Sequence, residues 1–348
     1  MKRPPGIIAL VLGVLLAAVL LSAYLYSRKP SVQFLLGISG VSAPRDFSRR
    51  EVMVKAGAVE IPVMVYTPLR GKSDKYWVLQ HGITPQAHKH PRIDQLASSL
   101  CHAAGVNVLI PYIRGSVEQR DLFDAIREVT TVYRALAAEF PGKYRAMGAC
   151  IGANGLLIAL NDVPPEIYPE KMFLVGPFFD GAELVKSYNE AGLSMDIIGK
   201  MVLTMSSGAF TDEEKELIRK AISISKPGTT DVGEMRKVLG EKLFRDLLVV
   251  DLHHRDFESI NGPSMLAGKG VLPPCRYFIM HSRTDNIVPY YQGENLYRYL
   301  QSLGANTSFL GTEILSHTEN SVTVTGLVKE TAYMVHFLDD LFANEVLK

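Results

Sequence analysis

Tyr144-Arg145-Ala146-Met147-Gly148-Ala149-Cys150-Ile151-Gly152-Ala153-Asn154-Gly155 runs directly into the apolar segment Leu156-Leu157-Ile158-Ala159-Leu160. The pattern is that of a short strand, a sharp turn and a helix, with a single thiol at the tip of the turn. Gly148 and Gly152 stand two positions to either side of Cys150, where the backbone folds so tightly that a Cβ would collide with the neighbouring strand or helix. The thiol is thereby pushed outward at the start of a helix, where unpaired amides and the positive end of the helix dipole favour negative charge on sulfur. A buried cysteine in a glycine-rich turn would match the same string, so partner residues elsewhere in the chain have to decide between the two readings.

The 348 residues, 47% of them apolar, suffice for one large domain or for one domain with an insertion. A formal charge of +1 leaves no basic excess to bind a phosphate backbone, so no nucleic-acid partner is expected. Cys101, Cys150 and Cys275 are an odd number and widely spaced, which suggests neither a disulfide framework nor a zinc cluster and leaves at least one thiol free. Cys101 and Cys275 fall near expected helix and strand ends and are read as unreactive.

The amino terminus differs in kind. Lys2 and Arg3 precede an uncharged run from Gly6 to Tyr26, which Arg28 and Lys29 close. A helix of that length spans roughly 30 Å, the thickness of a bilayer's hydrocarbon core. Ser22-Ala23 offers a small-residue cleavage site, but the apolar run exceeds a signal peptide's core of ~7–15 residues, and an uncleaved anchor is favoured. Residues 1–30 are therefore expected to be a membrane anchor with the rest of the chain on the exported side, although basic residues flank both ends of the run. Residues 31–48 read as a tether.

Folded structure is expected from near Arg49, starting with a hairpin of two strands, 51–55 and 59–66. Tyr76-Trp77-Val78-Leu79-Gln80-His81-Gly82 is a buried strand ending in His-Gly. A helix over about 92–104, a strand over 106–111, a helix over about 121–139 and the strand of the elbow follow. Strands alternating with helices of this length imply a mostly parallel central sheet with helices on both faces. His88-Lys89-His90 invites a metal reading with His81, but no further ligands follow at a metallohydrolase spacing, and solvated loop histidines are the better account; no metal and no cofactor are expected. After a strand over 171–179 the alternation stops, and residues 181–270 read as a helical insertion whose capping box, Thr211-Asp212-Glu213-Glu214, opens a helix over 213–223. A second helix is expected over 233–250. Met195, Met201, Met205 and Met235 are read as the insertion's own core in preference to a pocket lining, and His253 and His254 as structural. The sheet resumes with Cys275-Arg276-Tyr277-Phe278-Ile279-Met280-His281, which leads into Ser282-Arg283-Thr284-Asp285-Asn286-Ile287-Val288-Pro289. His317 follows the last strand, and His336 in the final helix is assigned to packing.

This order of elements, with Gly-x-Cys-x-Gly at the turn, resembles the α/β-hydrolase superfamily over about residues 49–348, the insertion excluded. The resemblance implies an α/β-hydrolase core over residues 49–180 and 271–348, with 181–270 as a helical cap. Within the superfamily the elbow itself is similar to those of dienelactone hydrolases and polyhydroxyalkanoate synthases, while the rest of the core is closer to membrane-associated esterases. The resemblance implies that Cys150 is the nucleophile, that Asp285 in the string Asp-x-x-Val-Pro is the acid, and that His317 is the base, in the superfamily's chain order. It further implies an oxyanion hole formed by the backbone amides of Ile83, or its neighbour Thr84, and Ile151. The function expected is a membrane-anchored hydrolase of acyl esters or thioesters working through an acyl-cysteine. An acyltransferase using the same intermediate, and a catalytically silent lipid- or partner-binding protein, are the alternatives left open.

Overall fold

The computed structural model describes residues 25–83, 86–118, 122–181, 183–184, 187, 199–200, 203, 210–224, 232–248, 272–313 and 324–343. Eight strands form one sheet: β1 (Phe47–Ala56), β2 (Val59–Pro68), β3 (Lys75–Gln80), β4 (Asn107–Pro111), β5 (Lys143–Ala149), β6 (Lys171–Val175), β7 (Arg276–Ser282) and β8 (Thr307–Thr312). Their spatial order is β1-β2-β4-β3-β5-β6-β7-β8. β1 and β2 pair antiparallel, β2 meets β4 antiparallel, and the strands from β4 through β3 and β5 to β8 are parallel. The mostly parallel sheet expected from the alternation is thus present.

Alternate residues of each central strand enter opposite layers, as a period of two requires. Val78, Ala146, Met172, Leu174, Tyr277 and Ile279 join the layer of helices α3 (Leu122–Glu139), α4 (Ile151–Ala159) and α7 (Tyr290–Ser302). Trp77, Leu79, Met147, Phe173, Phe278 and Met280 face α1 (Pro30–Ile38), α2 (Pro91–Ala104) and α8 (Val324–Leu341). All residues of α4 are buried, which explains why the run after the elbow is apolar on every face.

Between β6 and β7 lie α5 (Asp212–Ile224) and α6 (Val232–Leu248). The capping box closes as read: Thr211 Oγ1 accepts the Glu214 N–H at 3.2 Å, and the Glu214 carboxylate accepts the Thr211 N–H at 2.9 Å. Gly240, at φ 74° and ψ 160°, breaks the second helix into two, where the sequence reading had one continuous element. Phe210, Ile218, Leu239, Leu243 and Phe244 are contiguous with the core beneath the sheet, so this insertion shares one hydrophobic core with it. The methionines assigned to the insertion's core and His253 and His254 lie outside the described residues or side chains.

The segment read as a tether is a correction: α1 is docked against the domain. Phe34 is 1% exposed and meets the Phe342 ring edge-on at 5.4 Å between centroids. Ser31 Oγ donates to Asp339 at 2.5 Å, Lys29 Nζ pairs with the same carboxylate at 2.9 Å, and Gln95 Nε2 donates to the carbonyls of Gly37 and Ile38 at 3.0 and 3.1 Å. A side chain at residue 37 would strike Ser99, so the glycine lets α1 lie directly on α2. These partners are distant in sequence and only the fold assembles them. His336 is a second correction. The buried stripe of α8 runs through Met334, Phe337, Leu338 and Leu341, which places His336 on the solvent side with Tyr333.

Residues 1–24 of the expected anchor lie outside the described residues, and among the described residues no helix is long and apolar enough to cross a membrane.

Candidate active site

Cys150 occupies the junction of β5 and α4 with φ 53° and ψ −134°, a left-handed conformation rare for a residue with a side chain. Its neighbours hold it there. The Cys150 N–H donates to Val175 O at 2.8 Å, fixing the turn to β6, and the Ala153 N–H donates to Cys150 O at 2.9 Å, starting the helix. The two glycines fill the roles read from the sequence. A Cβ on Gly148 would sit 2.5 Å from Ala153 Cα, and one on Gly152 would sit 2.8 Å from the His81 carbonyl carbon and 2.9 Å from Gln80 O. Strand, turn and helix close on each other only without those side chains. Cys150 remains half-buried, whereas burial pushes the thiols of Cys101 and Cys275 each up to about 12 and leaves them inert.

The end of β3 lies beside this sulfur. A Cβ built on Gly82 would fall 3.3 Å from Cys150 Cβ and 4.0 Å from its Sγ, so a side chain at residue 82 would occupy the space next to the cysteine. Ile83, next along, is half-buried against the same core, and Thr84 lies outside the described residues. The N–H of Ile151 belongs to the first turn of α4, whose amides have no preceding helical carbonyl to bind. Ile151 thus stands next to Cys150 at the head of α4, and Ile83 follows the His81-Gly82 pair beyond β3.

His81, given no role in the sequence reading beyond the metal question, is a structural surprise. It is fully buried, its Nδ1–H donates to Gly82 O at 2.8 Å, and its Nε2 meets no hydrogen-bond partner among the described residues. Burial pushes its pKa down to about 4. The unfolded chain binds a proton at residue 81 below pH ~6.5, while the folded chain refuses it until about pH 4. The neutral imidazole thus contributes stability that is complete above the unfolded value and is lost as the pH falls toward 4, about 3 kcal/mol in all. Urea titrations of the native chain and His81→Gln between pH 7 and 4 are expected to show the native chain losing that extra stability; parallel curves would contradict it.

Of the remaining histidines of this loop His88 is not solvated, which corrects the sequence reading, while His90 is partly exposed. His88 is buried, with Nε2 at 2.7 Å from Glu51 Oε1 and its ring edge-on to Tyr112. His88, with Lys89, holds the Glu51 carboxyl below its ordinary range. His90 Nδ1 accepts the Arg92 N–H at 3.2 Å and so caps α2. These contacts pin the loop after β3 to the hairpin and to the helix that follows. Among the described residues no three of His, Cys, Asp and Glu stand together as metal ligands.

Asp285 follows β7, two strands from β5 at the same sheet edge, roughly 10 Å along the sheet. Its side chain is 2% exposed, and Oδ1 accepts the N–H groups of Ile287 and Val288 at 2.9 and 2.8 Å. It thus shapes the turn before α7 and does not cap the helix itself. His281 Nε2–H donates to Val288 O at 2.8 Å and lies 3.6 Å from Asp285 Oδ2, beyond hydrogen-bond range. His317 lies outside the described residues, between Thr312 at the end of β8 and Val324 at the start of α8.

Two buried amides also brace the site, and the sequence reading missed them. Asn154 binds the backbone of Phe178 twice, through Nδ2 to its carbonyl at 2.6 Å and through Oδ1 from its N–H at 3.1 Å. Gln292 Oε1 accepts the N–H groups of Phe179 and Asp180, each at 2.8 Å. A lone amide in an otherwise apolar helix such as α4 is the signal that would have found the first.

No protein-family model matches the chain, and no curated protein matches it in sequence. Solved structures do match in fold. A thermostable esterase from Pseudomonas putida superposes with a TM-score of 0.55 at 14% identity, covering 90% of this chain and 89% of that one. Carboxyl esterase 2 from Tuber melanosporum gives 0.53 at 15% identity, covering 88% and 89%. Lipase A of Candida antarctica in its closed state gives 0.51 at 15% identity, covering 87% and 78%. The sheet order and these superpositions give the chain the α/β-hydrolase fold.

Proposed function

We propose that the chain is an acyl hydrolase of carboxylic esters or thioesters, anchored to a membrane by residues 1–30 with its catalytic domain on the exported side. The observation that carries the enzymatic reading is the strained, half-buried Cys150 at the head of α4, with the side-chain-free Gly82 leaving space next to it. The esterase and lipase folds around it are consistent with that chemistry.

In this reading His317 accepts the Cys150 proton as Sγ attacks the acyl carbonyl carbon, and Asp285 orients the imidazole and balances its charge. The tetrahedral oxyanion accepts hydrogen bonds from the Ile83 and Ile151 amides. Its collapse breaks the bond to the leaving alcohol or thiol, which takes the proton from His317. Water then attacks the acyl-cysteine thioester, gives its proton to His317, and the acid leaves as Sγ is reprotonated. Cysteine in place of serine sets the elbow beside those of dienelactone hydrolases.

An acylating activity probe, with the adduct located by mass spectrometry, tests the assignment. Labelling is expected at Cys150 and is expected to collapse in His317→Ala. A folded chain that stays unlabelled at Cys150, or labels equally without His317, overturns the triad.

A further inference from the structure

We propose that the bilayer-facing surface of this protein is the amino-terminal edge of the parallel sheet, so that Cys150 opens toward water and takes its substrate from solution. The proposal rests on the anchor reading above and adds an orientation to it.

The docking of α1 fixes where the chain reaches the domain. A helix ends at Ser27, Arg28 and Lys29 make a turn, and Pro30 opens α1, so only two residues intervene. Lys29 and Ser31 both bind Asp339 in the last turn of α8. That end of α8 lies at the start of the parallel strands. Lys171, the first residue of β6, donates to the carbonyls of Leu341 and Ala343 at 2.5 and 2.7 Å, and Arg276, the first of β7, pairs with Asp340 at 2.9 Å. The other end of α1 meets Gln95, in the first turns of α2, which descends from the loop beyond β3. Hence α1 climbs alongside the strands, and the anchor leaves at their origin. Cys150 follows the far end of β5, whose residues span roughly 20 Å from Lys143 to Ala149.

A second observation agrees. Four of the exposed large apolar side chains lie at the same edge. Leu25 and Tyr26 stand at the point of exit, Leu69 follows β2, and Leu303 precedes β8; they are 59%, 44%, 67% and 52% exposed. Leu69 N–H binds Asp46 O beside the start of β1, and Tyr277, near the start of β7, binds Asn306 O just beyond Leu303. An apolar rim around an anchor's exit suits the interfacial zone of a bilayer. Two intervening residues leave little slack for the domain to roll over.

Energy transfer to the membrane tests this with the full chain in phosphatidylcholine–phosphatidylglycerol vesicles carrying a headgroup acceptor. A donor is attached at Asn306→Cys, at Lys143→Cys or at Thr284→Cys, in a Cys150→Ala background. Asn306 and Lys143 precede β8 and begin β5, Thr284 follows β7, and all three are exposed. Donor emission is expected to fall more at 306 and 143 than at 284. Equal losses, or a larger loss at 284, in chain that co-floats with the vesicles and resists alkaline extraction overturn the orientation alone. Chain that does not co-float, or that alkali strips away, overturns the anchor reading beneath it.

Discussion

Gly152→Ala is expected to destabilise the domain by about 3 kcal/mol or more and to remove reactivity at Cys150 with it. The added methyl group meets backbone and not a side chain that can swing aside: its nearest neighbours are the carbonyl groups of His81 and Gln80. Those atoms end β3, which is held between β4 and β5, with Gln80 registered against Gly148. Relief therefore requires separating α4 from the sheet, and with it the thiol from the end of β3. Gly155→Ala, three residues along the same helix, is the internal control. No atom lies within 4 Å of its added Cβ, so the substitution should be neutral or gain up to about 1 kcal/mol of helix propensity. Urea midpoints of the two variants decide it, and equal midpoints would refute the packing argument.

A larger effect on turnover is expected at the proposed triad. Cys150→Ala should cost about 10⁴-fold or more in ester hydrolysis while leaving the unfolding midpoint nearly unchanged, because removing a nucleophile removes the covalent route. Asp285→Asn is the more informative partner. Asparagine retains an oxygen to accept the Ile287 and Val288 amides, so the turn before α7 stands while the charge disappears. A loss of about 10²–10⁴-fold with native stability is the signature of an acid that orients a base. Native turnover in that variant would reduce Asp285 to a turn residue. Steady-state rates on a chromogenic ester, measured beside denaturation curves, separate the two.

What the sequence revealed followed the range of the forces involved. Gly148, Cys150 and Gly152 were legible because the elbow's steric demands fall within five consecutive residues. The sheet was legible because buried parallel strands such as Trp77-Val78-Leu79 are apolar on both faces. Helix α1 was not, because its anchors, Ser99, Asp339 and Phe342, lie far along the chain and two of the three residues it buries, Ser31 and Gly37, are small and not apolar, so its apolar residues do not mark the buried face. His88 was misread for the same reason: its partner Glu51 belongs to a hairpin strand that periodicity places but cannot aim. Asp285 was found by its string, yet its hold on the next two amides appeared only with coordinates. His336 was within reach, since the spacing of Met334, Phe337, Leu338 and Leu341 already assigns it to the opposite face.

The position of the insertion between β6 and β7 also has a consequence on the ribosome. Met172, Phe173 and Leu174 of β6 are wholly buried in the finished sheet, and their outer neighbour β7 begins only at Arg276. At roughly 5–20 residues per second, synthesis of the intervening segment takes on the order of 5–20 s. For that interval the growing sheet ends in an apolar strand with an unpaired row of amides and carbonyls, open to any other extended chain. The nascent protein therefore depends on whatever shields that edge until β7 emerges.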